Sequence, residues 1–232
     1  MELVLVRHAQ PQWYVEDLHQ GNNPPLSELG HEQSSLVADV LMQEDFDEIY
    51  VSPMVRARQT AAPLLERLGR AEVIAPWLQE ISDPPWDGWH RSLVTKAYMA
   101  EEDLPMNERW KGLPGGENIA SFQARINDGL EQFLLGYGLQ ETDHDLPTWT
   151  YLHGSAHERI GGPRVLCVAH GGTNGVITAR LLGATRMPME WDRFWFEHTT
   201  IVRFSLTPRS GELVFSLRGF SISHLPEGMR TR

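Results

Sequence analysis

Two apolar runs, Leu3-Val4-Leu5-Val6-Arg7-His8 and Val165-Leu166-Cys167-Val168-Ala169-His170-Gly171-Gly172, each end in a histidine. Short β-branched-rich runs without polar alternation have the pattern of strands buried on both faces of a parallel sheet. Such strands need a helical layer on each side, which restricts the chain to an α/β architecture. Each run also carries an imidazole to the carboxyl end of its strand, the edge where open α/β sheets bind ligands. Between them lies Ser52-Pro53-Met54-Val55-Arg56-Ala57-Arg58-Gln59-Thr60, an arginine-rich segment with the pattern of a first helical turn. Two histidines and several arginines at one sheet edge are the makings of a phosphate-handling site.

The rest of the chain supports this frame. Leu26-Ser27 opens a helix with Ser27 as N-cap and Leu29, Leu36, Val37, Val40 and Leu41 on one face. Asp47 to Val51 is a short strand; Ser52 is expected to cap the next helix, with Pro53 at its first position and Pro63 as a kink. Glu72 to Ala75 reads as a third strand, Asn118 to Leu135 as a helix, and Thr200–Leu206 with Glu212–Leu217 as an antiparallel pair. Helices are also expected after His170, ending at Gly183, and near Pro188 to Phe196. Alternating strands and helices predict a three-layer α/β/α sandwich around a mostly parallel central sheet, formed by one domain over residues 1–232. Residues of about 76–116, rich in proline and tryptophan, are expected to form a cap, and about 136–163 a surface excursion.

The net charge of −11, without a compensating basic stripe, argues against nucleic acid as a partner. An anionic substrate would meet an unfavourable long-range field, so its attraction must come from a local arginine cluster. The single cysteine, Cys167, excludes an intramolecular disulfide and, inside an apolar strand, is expected to be a buried structural thiol. No stretch approaches the ~20 apolar residues of a membrane span, and Arg7 follows the start too soon for a signal-peptide core. A cytoplasmic protein, monomer or homodimer, is the expectation.

A neutral His8 is chemically suited to attack phosphorus, splitting hydrolysis into two displacements. Such a step depends on positioning and on cationic donors to the phosphoryl oxygens. Arg7 adjoins His8, Arg56 sits at a helix start, and arginine's planar fork matches phosphate oxygens. His170 is a second donor, and the Gly171-Gly172 pair lets backbone approach closely.

At these residues a resemblance appears. Leu5-Val6-Arg7-His8-Ala9 resembles the Arg-His-Gly signature of the histidine phosphatase superfamily, the phosphoglycerate mutase-like proteins. Gln20 to Gly30, Ser52 to Ala61, Leu78-Gln79-Glu80, Pro114-Gly115-Gly116-Glu117 and Val168 to Thr173 resemble further family segments, in the family's order. The resemblance implies a phosphoglycerate mutase-like fold, with His8 as the phosphorylated nucleophile and Arg7, Arg56 and His170 as the phosphate pocket. It makes Glu80 the general acid and base, with Asp83 and Asp87 as nearby alternatives and Trp77, Trp86 and Trp89 available to bury the acid. Two positions depart from the pattern: Ala9 replaces a glycine, and Tyr14 stands where many members have an asparagine. Tyr14 is retained as a candidate phosphate contact through its phenol.

The implied activity is metal-independent hydrolysis of a small phosphorylated metabolite, with no cofactor. Two alternatives keep the same fold: a cofactor-dependent phosphoglycerate mutase, disfavoured by the altered cap and Tyr14, and a phosphate-binding module with impaired chemistry. A metal enzyme is a different class, and the spacing of His153 and His157 is its one sequence feature.

Overall fold

The computed structural model describes residues 1–142, 146–152, 162–222 and 224–232. The chain begins with β1 (Glu2–Arg7), followed by a small hairpin, β2 (Tyr14–Val15) and β3 (Leu18–His19). Next come α1 (Glu28–Leu41), β4 (Glu48–Val51), α2 (Val55–Leu68) and β5 (Val73–Ile74). The stretch expected to cap the site contains a 3-10 turn at Pro76–Leu78, α3 (Arg91–Glu102) and a second 3-10 turn at Arg109–Lys111. Then follow α4 (Ile119–Gly136), β6 (Leu139–Glu141), β7 (Trp149–Tyr151), β8 (Arg164–Ala169), α5 (Gly171–Leu181) and α6 (Glu190–Arg193). β9 (Ile201–Arg209), β10 (Glu212–Ser221) and a 3-10 turn at Glu227–Met229 complete the described elements.

Eight strands form one mixed sheet in the order β5-β4-β8-β1-β9-β10-β7-β6. The first four are parallel, as their apolar runs predict. Beyond β1 the sheet continues with antiparallel pairings through β9, β10, β7 and β6. The antiparallel half is larger than the one hairpin read from sequence. It recruits β6 and β7 from the stretch read as a surface excursion, where Trp149 is buried against Phe215. Strands of three residues are too short to display a period in sequence.

Alternation along β1 divides the core. Leu3 and Leu5 join the α4 and α5 face, with Phe122, Ile126, Leu130 and Ile177. Val4 and Val6 join the α1 and α2 face, with Val37, Leu41, Ala61 and Leu64. Cys167 is fully buried in β8, where burial pushes its thiol pKa up, as fits a structural residue.

Local signals act as written in most places. Ser27 Oγ accepts the Gly30 amide and Asn118 caps α4. Gly69 ends α2 in the left-handed conformation, and α2 runs on through Pro63 to Leu68. Ser52 does not cap α2. The N-cap is Met54, whose side chain makes no cap bond, and the Val55 amide donates instead to Asn23 Oδ1 at 2.8 Å. Ser52 is drawn elsewhere, to His170.

The register sets the site. Arg7 lies opposite Ala169, so His8 and His170 leave adjacent strands at the same edge. Val51 lies opposite Val168, which brings Ser52 beside them from β4.

Candidate active site

His8 is 3% exposed, and its Nδ1 lies 2.7 Å from the Ala9 carbonyl oxygen. A carbonyl only accepts, so Nδ1 carries the proton and Nε2 presents its lone pair. The Arg56 Nε–H donates to that nitrogen at 3.3 Å, and Arg56 Nη1 is held by the Asn22 carbonyl at 2.9 Å. Burial, reinforced by Arg56, His170, Arg7 and His198, lowers the His8 pKa well below the ordinary range. The imidazole is therefore neutral at physiological pH, the form that can attack.

Arg7 donates from Nη1 to the Phe196 carbonyl. Burial lowers Arg7 and Arg56 to about 10, a drop opposed in both by Glu80, so both stay charged at neutral pH. Trp13 packs on the Arg56 guanidinium, 5.0 Å from the ring centre.

The His170 ring centre lies 5.0 Å from that of His8. Ser52 Oγ, which accepts the Met54 amide at 3.4 Å, lies 2.7 Å from His170 Nε2. When the Ser52 hydroxyl donates in this bond, the ring proton sits on Nδ1. Burial and the charges of Arg56, Arg7 and Arg125 lower the pKa of His170, so it donates as a neutral imidazole rather than as a cation. Arg7 Nε and His170 Nδ1 are buried with no hydrogen-bond partner among the described residues. A phosphoryl group is the natural acceptor for both.

Glu80 rests on the amino end of α5. Its Oε2 accepts the Gly172 amide at 2.8 Å, and its Oε1 accepts the Thr173 amide at 3.1 Å. Here the Gly171-Gly172 pair has a definite use. A Cβ on Gly172 would lie 2.6 Å from Glu80 Oε1, whereas one on Gly171 would meet Arg7 Nε at 3.5 Å. The segment behind Glu80 is clamped by Glu117, which accepts the Ser82 amide at 3.1 Å and pairs with Arg125. Arg125 in turn donates to the Gln79 carbonyl at 3.0 Å.

His8, Arg7, Arg56, Glu80, Gly171 and Gly172 line one cavity of about 570 Å³. Tyr14 does not reach it. Its ring lies under the Arg91 guanidinium, 4.0 Å away, and against His19, and Asn22 reaches the cavity wall instead. Of the carboxylates weighed against Glu80, Asp83 lines the cavity and Asp87 is exposed. Asp83 accepts from Tyr98 Oη at 2.8 Å, and burial raises its pKa. The expected tryptophans are not those that share the cavity lining with Glu80. Trp86 packs on Tyr98 and His19, Trp77 on Phe133, and Trp89 is exposed; the cavity walls carry Trp13, Trp191 and Trp195. His153 and His157 lie outside the described residues.

Sequence reading missed His198. It is 2% exposed, with its ring centre 5.5 Å from that of His8. It arrives just ahead of β9, an antiparallel strand, so no apolar run ending in a histidine announces it.

Residues 3–142 match the family model of the histidine phosphatase superfamily (branch 1). Phosphoserine phosphatase 1 of Hydrogenobacter thermophilus is 34% identical over 139 residues, an alignment covering 57% of this chain and 64% of that relative. The chain thus spans just under two thirds of that relative's length. An adenosylcobalamin/alpha-ribazole phosphatase of Salmonella typhi is 28% identical over 189 residues, covering 78% of this chain and 80% of the relative. Among solved structures, the alpha-ribazole phosphatase of Shigella flexneri has a TM-score of 0.68 at 20% identity, covering 94% of this chain and 95% of that one. A mycobacterial glucosyl-3-phosphoglycerate phosphatase in complex with VO3 has a TM-score of 0.66 at 25% identity, covering 93% and 96%.

Proposed function

The chain belongs to the histidine phosphatase superfamily (branch 1), and from that premise we propose that it is a metal-independent phosphomonoesterase of the cytoplasm acting on a small phosphorylated metabolite through a phosphohistidine on His8. One observation carries the reading. A neutral His8 with Nδ1 tied to the Ala9 carbonyl presents Nε2 beside Arg56, in the cavity that Glu80 also lines.

His8 Nε2 attacks phosphorus, the N–P bond forms and the bond to the ester oxygen breaks. Arg7, Arg56 and the His170 Nδ1–H hold the phosphoryl oxygens as charge redistributes. Glu80 supplies the proton that the departing alkoxide needs. In the second step Glu80 takes a proton from water, whose oxygen attacks phosphorus. The N–P bond then breaks and inorganic phosphate leaves. The arginines supply the charge that a metal ion would otherwise provide.

The test is hydrolysis of p-nitrophenyl phosphate after chelator treatment, by the wild type and by His8→Ala side by side. Activity that survives the chelator and is lost in the variant supports the reading; equal activity in both would end it. Silence from both proteins, with interconversion of 2- and 3-phosphoglycerate, would move the chain to mutase chemistry.

A further inference from the structure

A chain of hydrogen bonds runs from Gln10, two residues past His8, to His198, whose ring lies beside that of His8. The Gln10 amide donates to Gln33 Oε1 on α1 at 2.8 Å. A backbone N–H only donates, so the orientation of the Gln33 amide is fixed. Gln33 Nε2 accordingly donates to the Met229 carbonyl at 2.7 Å and to Thr231 Oγ1 at 2.8 Å. Thr231 Oγ1, which accepts from Gln33, lies 2.8 Å from His198 Nδ1. The Thr231 carbonyl holds the same residue from behind, accepting the His198 amide at 3.0 Å. When the Thr231 hydroxyl donates to Nδ1, the His198 proton lies on Nε2. That nitrogen is buried and has no hydrogen-bond partner among the described residues.

The backbone around His198 is bound as firmly to the site. Thr199, fully buried and β-branched, has φ +61°, a left-handed conformation that costs energy for such a residue. It is held there because its amide donates to the Arg7 and His8 carbonyls, at 3.1 and 3.3 Å. Thr199 Oγ1 is further fixed by His224 Nε2 at 3.0 Å. The Phe196 carbonyl takes the Arg7 guanidinium. Backbone strain of this kind persists where surrounding contacts over-determine it, and such places cluster at active sites.

From this geometry we infer that His198 is a third histidine of the active site, whose neutral Nε2–H donates to an oxygen of the phosphoryl group carried at His8. The inference rests on the phosphohistidine reading above. It divides the three imidazoles by role: His8 presents a lone pair, whereas His170 and His198 present protons, each with a hydroxyl, Ser52 or Thr231, donating to its other nitrogen. A neutral donor suits this place, because a third cation beside Arg7 and Arg56 would be costly before substrate enters.

Two measurements test the inference. In protein labelled with 15N-histidine, the ring resonances of His198 report which nitrogen is protonated; the Nε2–H form is expected, and the Nδ1–H form would overturn the assignment. Orthovanadate binding measured by calorimetry gives the second readout. His198→Phe keeps ring volume and removes the donor, and is expected to weaken binding about ten- to a hundredfold with unfolding temperature little changed. His198→Gln, which replaces the donor near the Nε2 position, should recover most of that loss. A Phe variant that binds like the wild type would refute the role, and if that variant does not fold, the tautomer decides alone. A wild type that neither binds orthovanadate nor hydrolyses phosphomonoesters would remove the parent reading as well, so the two failures are distinguishable.

Discussion

At the scale of single residues, the site depends on which nitrogen or oxygen holds a proton. In the proposed mechanism His8 acts as nucleophile through Nε2 because the Ala9 carbonyl occupies its Nδ1–H. Glu80 has a different task, and the choice of substrate exposes it. A p-nitrophenolate leaves readily without a proton, whereas an alkoxide needs one. Glu80→Gln should therefore lower kcat for an alkyl phosphate by about 10²-fold or more, with a much smaller loss for p-nitrophenyl phosphate. Equal losses on both substrates would move the acid role to Asp83, which lines the same cavity. His8, His170, Arg7, Arg56 and Glu80 were all legible in sequence because each lies in a local motif. Tyr14 was misplaced because position relative to His8 does not reveal that Arg91 draws its ring away. His198 was invisible because its partner is Thr231, 33 positions further on.

At the scale of elements, α5 links the proposed acid, Glu80, to the proposed phosphate seat. Its first turn gives the Gly172 and Thr173 amides to Glu80, and it begins where β8 delivers His170. Gly172→Ala would place a Cβ 2.6 Å from Glu80 Oε1 and 3.0 Å from Trp191 Cε3. The carboxylate is the end of a flexible side chain, so it shifts while the helix stays. The expected outcome is a fall of about tenfold or more in kcat for alkyl phosphates with the unfolding temperature little altered; unchanged turnover would show that Glu80 does not work from this seat. The α1, α4 and α5 helices follow from their caps and periodicity in sequence. The start of α2 did not, because Ser52 faces a choice between capping a helix and orienting His170, and sequence alone does not show the second partner.

At the scale of the molecule, the parallel half of the sheet follows from two apolar runs, because only a strand covered on both faces tolerates such sequences. The outer antiparallel half was less legible, since strands as short as β6 and β7 are fixed by their neighbours rather than by a pattern. β1 and β8 bring His8 and His170 to the carboxyl edge, where open α/β sheets bind ligands. At that same edge the antiparallel β9 presents its amino end, which brings His198 beside His8. Concentrating neutral histidines there has a thermodynamic consequence. Burial lowers the pKa of His8, His170 and His198, the last to about 2. Below the unfolded value of 6.5 the unfolded chain binds protons that the native state refuses, so stability is fully present above that pH and is lost as pH falls. Each group contributes up to about 1.4 kcal/mol per pH unit. Denaturant unfolding at pH 7.5 and 5.5 should differ by about 2–4 kcal/mol, the acid sample being the weaker. Equal stabilities would contradict the buried neutral assignment.

The most direct test of the account is to trap the covalent intermediate. Wild-type protein is mixed with 32P-labelled phosphomonoester, quenched in alkali within milliseconds and digested, and the label is mapped by peptide. The account predicts an alkali-stable, acid-labile phosphate on the peptide containing His8, formed in the presence of a chelator and absent from His8→Ala. Label on another residue, or turnover by the wild type with no label at His8 at any quench time, would contradict it.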